Sequence, residues 1–215
     1  DALTLLAASL MPALCAAQGI HKTPSTRLLA SWLLDDRHEV GILDFSAEGT
    51  TIPHRLALPT RAHGLCSEPE GSVLVAARRP GDWLLRWNPV RQSTLWHWVG
   101  DDRQLNGHVL RSPDGQHVWT TETDRSDAQG LIGVRDARTL EKVAEWRTHG
   151  MDPHAMLVLS QSVGPIPAGT LMVANGGIPT QSETGRSHRD LTRMDPSLVA
   201  LHPQHGGLLG QWRLD

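Results

Sequence analysis

Histidines at positions 63, 108 and 154 are spaced by 45 and then 46 residues, and each leads a short apolar run. "AHGLCSEPEG" carries the first, "NGHVLRSPDG" the second and "DPHAMLVLS" the third. A period of this length marks an internal repeat, and it restricts the chain to folds in which one supersecondary unit packs against copies of itself.

The repeat unit can be read as strands. In the third unit "HVLRSPDG", "QHVWTTET", "GLIGVRDA" and "EKVAEWRT" follow one another, rich in β-branched and aromatic residues and separated by Pro, Asp, Gly and Ser breaks. "HGLCSEPEG", "SVLVAARR", "DWLLRWN" and "STLWHWVG" repeat the pattern before it, and "PHAMLVLS", "TLMVANGG", "SLVALHP" and "GLLGQWRLD" after it. The first unit keeps "RLLASWLL", "EVGILDF" and "HRLALPT" but lacks an opening strand. Four strands per repeat predict an all-β fold, a β-propeller of four-stranded antiparallel blades, with repeats near residues 21–62, 63–107, 108–153 and 154–215. Four blades with one strand missing do not close a ring, so residues 18–215 are expected to be about four blades of a longer propeller. Eight Trp stand against one Phe and no Tyr. Most fall in predicted strands, where their large apolar surfaces are expected to fill the space between blades.

Residues 1–17 differ from the rest. "DALTLLAASLMPALCAAQG" has the Ala/Leu core and small-residue exit of a secretory signal peptide, truncated at its start, with cleavage after Ala17. A lipid anchor on Cys15 is the rival reading. The apolar run is too short for a membrane span, and the mature chain is expected to have none. Export to the periplasm follows. A net charge of −3 and a pI near 6.5, with no basic run, exclude a nucleic-acid partner. Cys66 would be the only cysteine left, so no disulfide framework forms in the mature chain.

In a propeller blade the first strand is the innermost, which places His63, His108 and His154 at one rim of the central channel. Imidazoles there could hold a divalent transition metal, orient a carboxylate ligand or move protons. Alternatively each ring hydrogen-bonds a neighbouring blade and fixes its register. Metal held by them would weaken below about pH 6.5, where free imidazole protonates. Ends of second strands add Arg78, Glu122, Asp124 and Asn175 as further rim groups, with Glu122 and Asp124 on one side of their strand. The long polar stretch 178–196 carries Arg186, His188, Arg189 and Arg193, which would favour a small anionic ligand.

"SPDGQHVWTTETDRSDAQGLIGVRDA", "GMDPHAML" and "MVANGGIPTQSETGRSHRDLTRMDPSLVALH" resemble successive blocks of an exported bacterial propeller family of unknown function. That resemblance implies seven blades, a twin-arginine export signal and genes often adjacent to those of imelysin-type iron-uptake proteins. Periplasmic metal-uptake proteins are therefore expected partners. Two positions depart from the family: Thr123 stands where Asn is expected, and Ala155 where Glu is expected after the Pro-His pair.

No nucleophile elbow, His-Glu-x-x-His pair, P-loop or paired-cysteine motif occurs. Two functions remain open. One is a periplasmic binding or scaffolding propeller serving iron or other metal uptake. The other is a metal-dependent, lactonase-like propeller hydrolase, in which the rim metal acts as a Lewis acid.

Overall fold

Val73–Ala77 and Trp83–Asn88 are buried almost throughout, as strands covered on both faces are. They form the middle of a four-stranded meander, one of three among the described residues. A computed structural model describes residues 26–178 and 194–213. The expected signal peptide at 1–17 and the residues Arg186, His188, Arg189 and Arg193 lie outside the described residues.

The first sheet is three-stranded, with β1 (Thr26–Leu34), β2 (Arg37–Ser46) and β3 (Gly49–Leu58) in sequential order. Asp35 and Asp36 join β1 to β2 as a two-residue hairpin, both at positive φ (47° and 61°). The second sheet holds β4 (Ala62–Ser67), β5 (Val73–Ala77), β6 (Trp83–Asn88) and β7 (Ser93–Trp98). The third holds β8 (Arg103–Arg111), β9 (His117–Asp124), β10 (Gln129–Asp136) and β11 (Lys142–Met151). The fourth holds β12 (Pro153–Val158), β13 (Leu171–Asn175), β14 (Ser197–Leu201) and β15 (Leu208–Arg213). Every pairing within these sheets is antiparallel.

The sheets pack face to face in chain order. Val40, Ile42 and Leu58 of the first meet Val75, Trp83, Leu85 and Trp87 of the second. Leu74, Ala76 and Leu84 meet Leu105, Val109 and Val118 of the third. Trp119, Ile132 and Val134 meet Leu171, Val173, Val199 and Leu201 of the fourth. First strands lie side by side, β4 against β8 and β8 against β12, which makes them the inner strands around a common axis. This is the blade geometry of a β-propeller.

The tryptophans divide between two roles. Trp83, Trp87 and Trp119 are buried between sheets, as the sequence predicts. Trp98 lies on the last strand of the second sheet and remains 54% exposed, so it does not fill an inter-blade gap; Trp212, 45% exposed, lies on the fourth sheet, the last one described. Among the described residues no helix is long and apolar enough to cross a membrane.

Candidate metal centre

Each inner strand loses register with its neighbour at one place. The ladder breaks between Ala62 and Gly64 in β4, between Leu105 and Val109 in β8, and between Pro153 and Met156 in β12. His63, His108 and His154 lie inside these three interruptions. A bulge releases a residue from the regular in-and-out alternation and turns its side chain away from the sheet face. Here three successive bulges turn three imidazoles toward one another.

The ring centroids of His63 and His108 are 4.9 Å apart, those of His108 and His154 4.6 Å, and those of His63 and His154 5.6 Å. One ring nitrogen from each of the three lies within 4.8 Å of the other two. Two nitrogens at tetrahedral positions on a single zinc-sized ion would stand about 3.4 Å apart. Closing the cluster onto an ion therefore takes an approach of about 1.4 Å at its widest pair.

Glycine makes the convergence possible. A Cβ on Gly64 would strike the carbonyl oxygen of Gly107, and one on Gly107 would lie 2.8 Å from Cδ2 of His63. Gly107 also has φ +103°, a conformation other residues seldom adopt. The His-Gly of β4 and the Gly-His of β8 thus interlock, bringing two inner strands closer than any side chain would allow.

The cluster is electrostatically suited to neutral imidazole. Burial, followed by the neighbouring His154, His63 and Arg79, pushes His108 down to about 4. Burial also lowers His63, helped by Arg78, Arg79 and Arg61. Nε2 of His108 is buried and has no hydrogen-bond partner among the described residues. A buried acceptor without a donor is unfavourable by itself, and a metal ion would satisfy it. His63 is exposed, so the cluster opens to solvent on one side.

Of the other expected rim residues, Arg78 is exposed beside His63, and Glu122, Asp124 and Asn175 are engaged elsewhere. Glu122 is wholly buried, hydrogen-bonded to Arg135 (2.6 Å) and Thr120 (2.6 Å) and ion-paired with Lys142 (2.7 Å). It shares a strand side with Val118, which packs on the second sheet, so it stands in the blade interior and not at the rim. Burial would raise its carboxyl; Arg135 and Lys142 hold it below its ordinary value. Asp124 accepts hydrogen bonds from the Ser126 backbone (2.9 Å) and hydroxyl (2.6 Å) and pairs with Arg103. Asn175 donates from Nδ2 to the Thr148 carbonyl (2.8 Å) and Ser197 Oγ (3.1 Å), tying the fourth sheet to the end of β11.

Three residues that the sequence did not single out support the cluster. Asn106 donates from Nδ2 to Thr123 Oγ1 (2.9 Å) and to the carbonyl of Pro153 (3.0 Å), which fixes β12 just before His154. Thr123, where the family resemblance leads one to expect Asn, thereby serves this link. Arg79, after β5, forms an ion pair with Asp152, a residue 1% exposed at φ 54° immediately before Pro153. Ala155 is exposed and brings no polar group.

A protein family described as "Protein of unknown function (DUF1513)" matches residues 56–215. No curated protein sequence is similar to the chain. Among solved structures, hydrazine synthase of Kuenenia stuttgartiensis is similar over 83% of this chain and 46% of its own, at 13% identity and a TM-score of 0.58. The periplasmic gluconolactonase PpgL of Pseudomonas aeruginosa is similar over 86% of this chain and 50% of its own, at 15% identity and a TM-score of 0.55. The Dos1 propeller is similar over 83% and 44%, at 11% identity and a TM-score of 0.53. The chain spans about half the length of the solved chains it matches. At these identities the likeness is one of fold.

Proposed function

We propose that this chain, which belongs to the family described as "Protein of unknown function (DUF1513)", is part of a metal-binding propeller whose rim holds a divalent transition ion on His63, His108 and His154. The observation that carries this reading is the convergence of three ring nitrogens within 4.8 Å, produced by a bulge in each of three inner strands. Three imidazoles suit zinc, copper, iron or nickel. The unpartnered Nε2 of His108 favours a ligand role over one in blade-to-blade hydrogen bonding. Placed in the periplasm as one part of a seven-bladed ring, the protein would bind metal or scaffold the proteins that take it up, with imelysin-type proteins as partners.

A lactonase-like hydrolase is the weaker reading. Such an enzyme needs a group near the metal, other than its ligands, to accept a proton, and all three imidazoles of the described cluster would be taken up as ligands. Asp152, the buried acid nearest in sequence, is paired with Arg79.

Titration calorimetry of the protein with zinc tests the proposal. The double variant His108→Ala/His154→Ala is expected to lose at least about 100-fold in zinc affinity while unfolding at nearly the parent temperature. Zinc binding unchanged in the double variant, together with a large drop in stability, would make the histidines structural.

A further inference from the structure

The connections that enter the inner strands and those that follow the second strands come to the same face of the sheets, because antiparallel neighbours β4 and β5, or β8 and β9, begin and end together. Between them lies a cavity of about 520 Å³. Arg61, Arg78, Arg79, Arg103 and Arg125 line it, with Asp82 as the only acid among the described residues of the lining. Two of these guanidinium groups are already neutralised. Arg79 pairs with Asp152, and Arg103 with Glu145 (2.8 Å), Asp102 (3.1 Å) and Asp124 (3.2 Å).

The remaining three, Arg61, Arg78 and Arg125, form no ion pair among the described residues and are exposed at the cavity. They come from three separate connections, β3–β4, β5–β6 and β9–β10. Like charges gathered in a concave site repel one another unless an anion joins them. A guanidinium presents a planar fork that matches a carboxylate or phosphate in two parallel hydrogen bonds. One compact anion meets one or two such forks, whereas three forks spread around a cavity of this size match several anionic groups on one carbon skeleton. Pro80 and Gly81 supply an uncharged stretch of wall for that skeleton.

We infer that this pocket is a binding site for a small organic polycarboxylate, held by Arg61, Arg78 and Arg125. The site lies beside the histidine cluster, since the same Arg61, Arg78 and Arg79 act on His63. It stands independently of the metal, because none of the three arginines is a metal ligand.

Calorimetric titration with tricarballylate, in buffer stripped of metal by a chelating resin, tests it. Saturable binding is expected, weakening as sodium chloride is raised. Arg78→Gln and Arg125→Gln should each weaken it by about tenfold or more, and the pair together should abolish it. Inorganic phosphate should bind at least about tenfold more weakly than tricarballylate. His108→Ala/His154→Ala should bind the tricarboxylate as the parent does. No saturable binding, binding indifferent to both arginine substitutions, or phosphate binding as tightly would overturn the inference. Loss of the tricarboxylate only in the histidine variant would overturn it too, by moving the anion onto a residual metal and leaving the metal reading intact.

Discussion

Arg79 of the second sheet and Asp152 at the entry to the fourth meet as a buried ion pair, reaching past the sheet between them. Asp152 holds positive φ just before Pro153 and His154, so the pair fixes the point at which the third histidine enters the cluster.

Replacing Asp152 by Asn breaks the ion pair with the Arg79 guanidinium, whose side chain is only 16% exposed. Stability is expected to fall by roughly 3–5 kcal/mol, the range for breaking one side of a buried pair. Chemical denaturation of parent, single variants and an Arg79→Met/Asp152→Asn double variant would measure it. The double variant should recover part of the loss.

Gly107→Ala places a methyl group against His63 at a backbone angle of φ +103°. A loss of about 1–3 kcal/mol is expected from the backbone strain, and zinc affinity should fall as well because His63 is displaced. Gly71, at φ +81° with open space around it, is the control. Gly71→Ala should show strain without any change in zinc binding by calorimetry.

Acid should weaken the fold through His108. Its folded value lies near 4, below the value of about 6.5 expected in the unfolded chain, so between those limits the unfolded chain binds more protons. The contribution is complete above about pH 6.5, declines as pH falls, and is gone once pH is below the folded value. Denaturant melts across this window should show the slope, and His108→Ala should reduce it. Because protonation of the folded cluster is suppressed, zinc should also stay bound below pH 6.5, further into acid than free imidazole allows.

Glu122→Ala strands Arg135 in the third blade, where neither side chain has any exposure. Stability is expected to fall by roughly 3–5 kcal/mol, with zinc affinity per folded molecule unchanged. Loss of zinc binding in a folded Glu122→Ala protein would return this residue to the rim.

Strands and histidines were legible in the sequence for the same reason. Both recur once per blade, so the spacing of His63, His108 and His154 carried the fold and the outline of the site together. Glu122 was not legible in that way. Alternation puts it on one side of β9 with Val118, but only the neighbouring sheet decides which side is interior, and its partner Arg135 sits on the next strand, two residues beyond Gly133, whose lack of a side chain leaves room for the Glu122 carboxylate. The arginine pocket was legible only in Arg78, which the sequence placed at the rim. Arg78 and Arg125 each follow the second strand of their blade, but Arg61 comes from a connection between blades, and only the fold brings that connection to the same place. The ladder breaks escaped notice because they are slips of register, a property of two strands and not of either sequence alone.

Those slips have a bearing on how such a rim changes over evolutionary time. Each histidine is aimed by the backbone of its own blade, through an irregularity that the identity of the side chain does not create. A substitution at 63, 108 or 154 therefore exchanges one group at the rim while leaving the hydrogen-bonded framework around it in place. The rim behaves as a set of separately replaceable sockets, one per blade. A ring built this way can drift from one ligand to another, socket by socket, with the scaffold unaltered at every step.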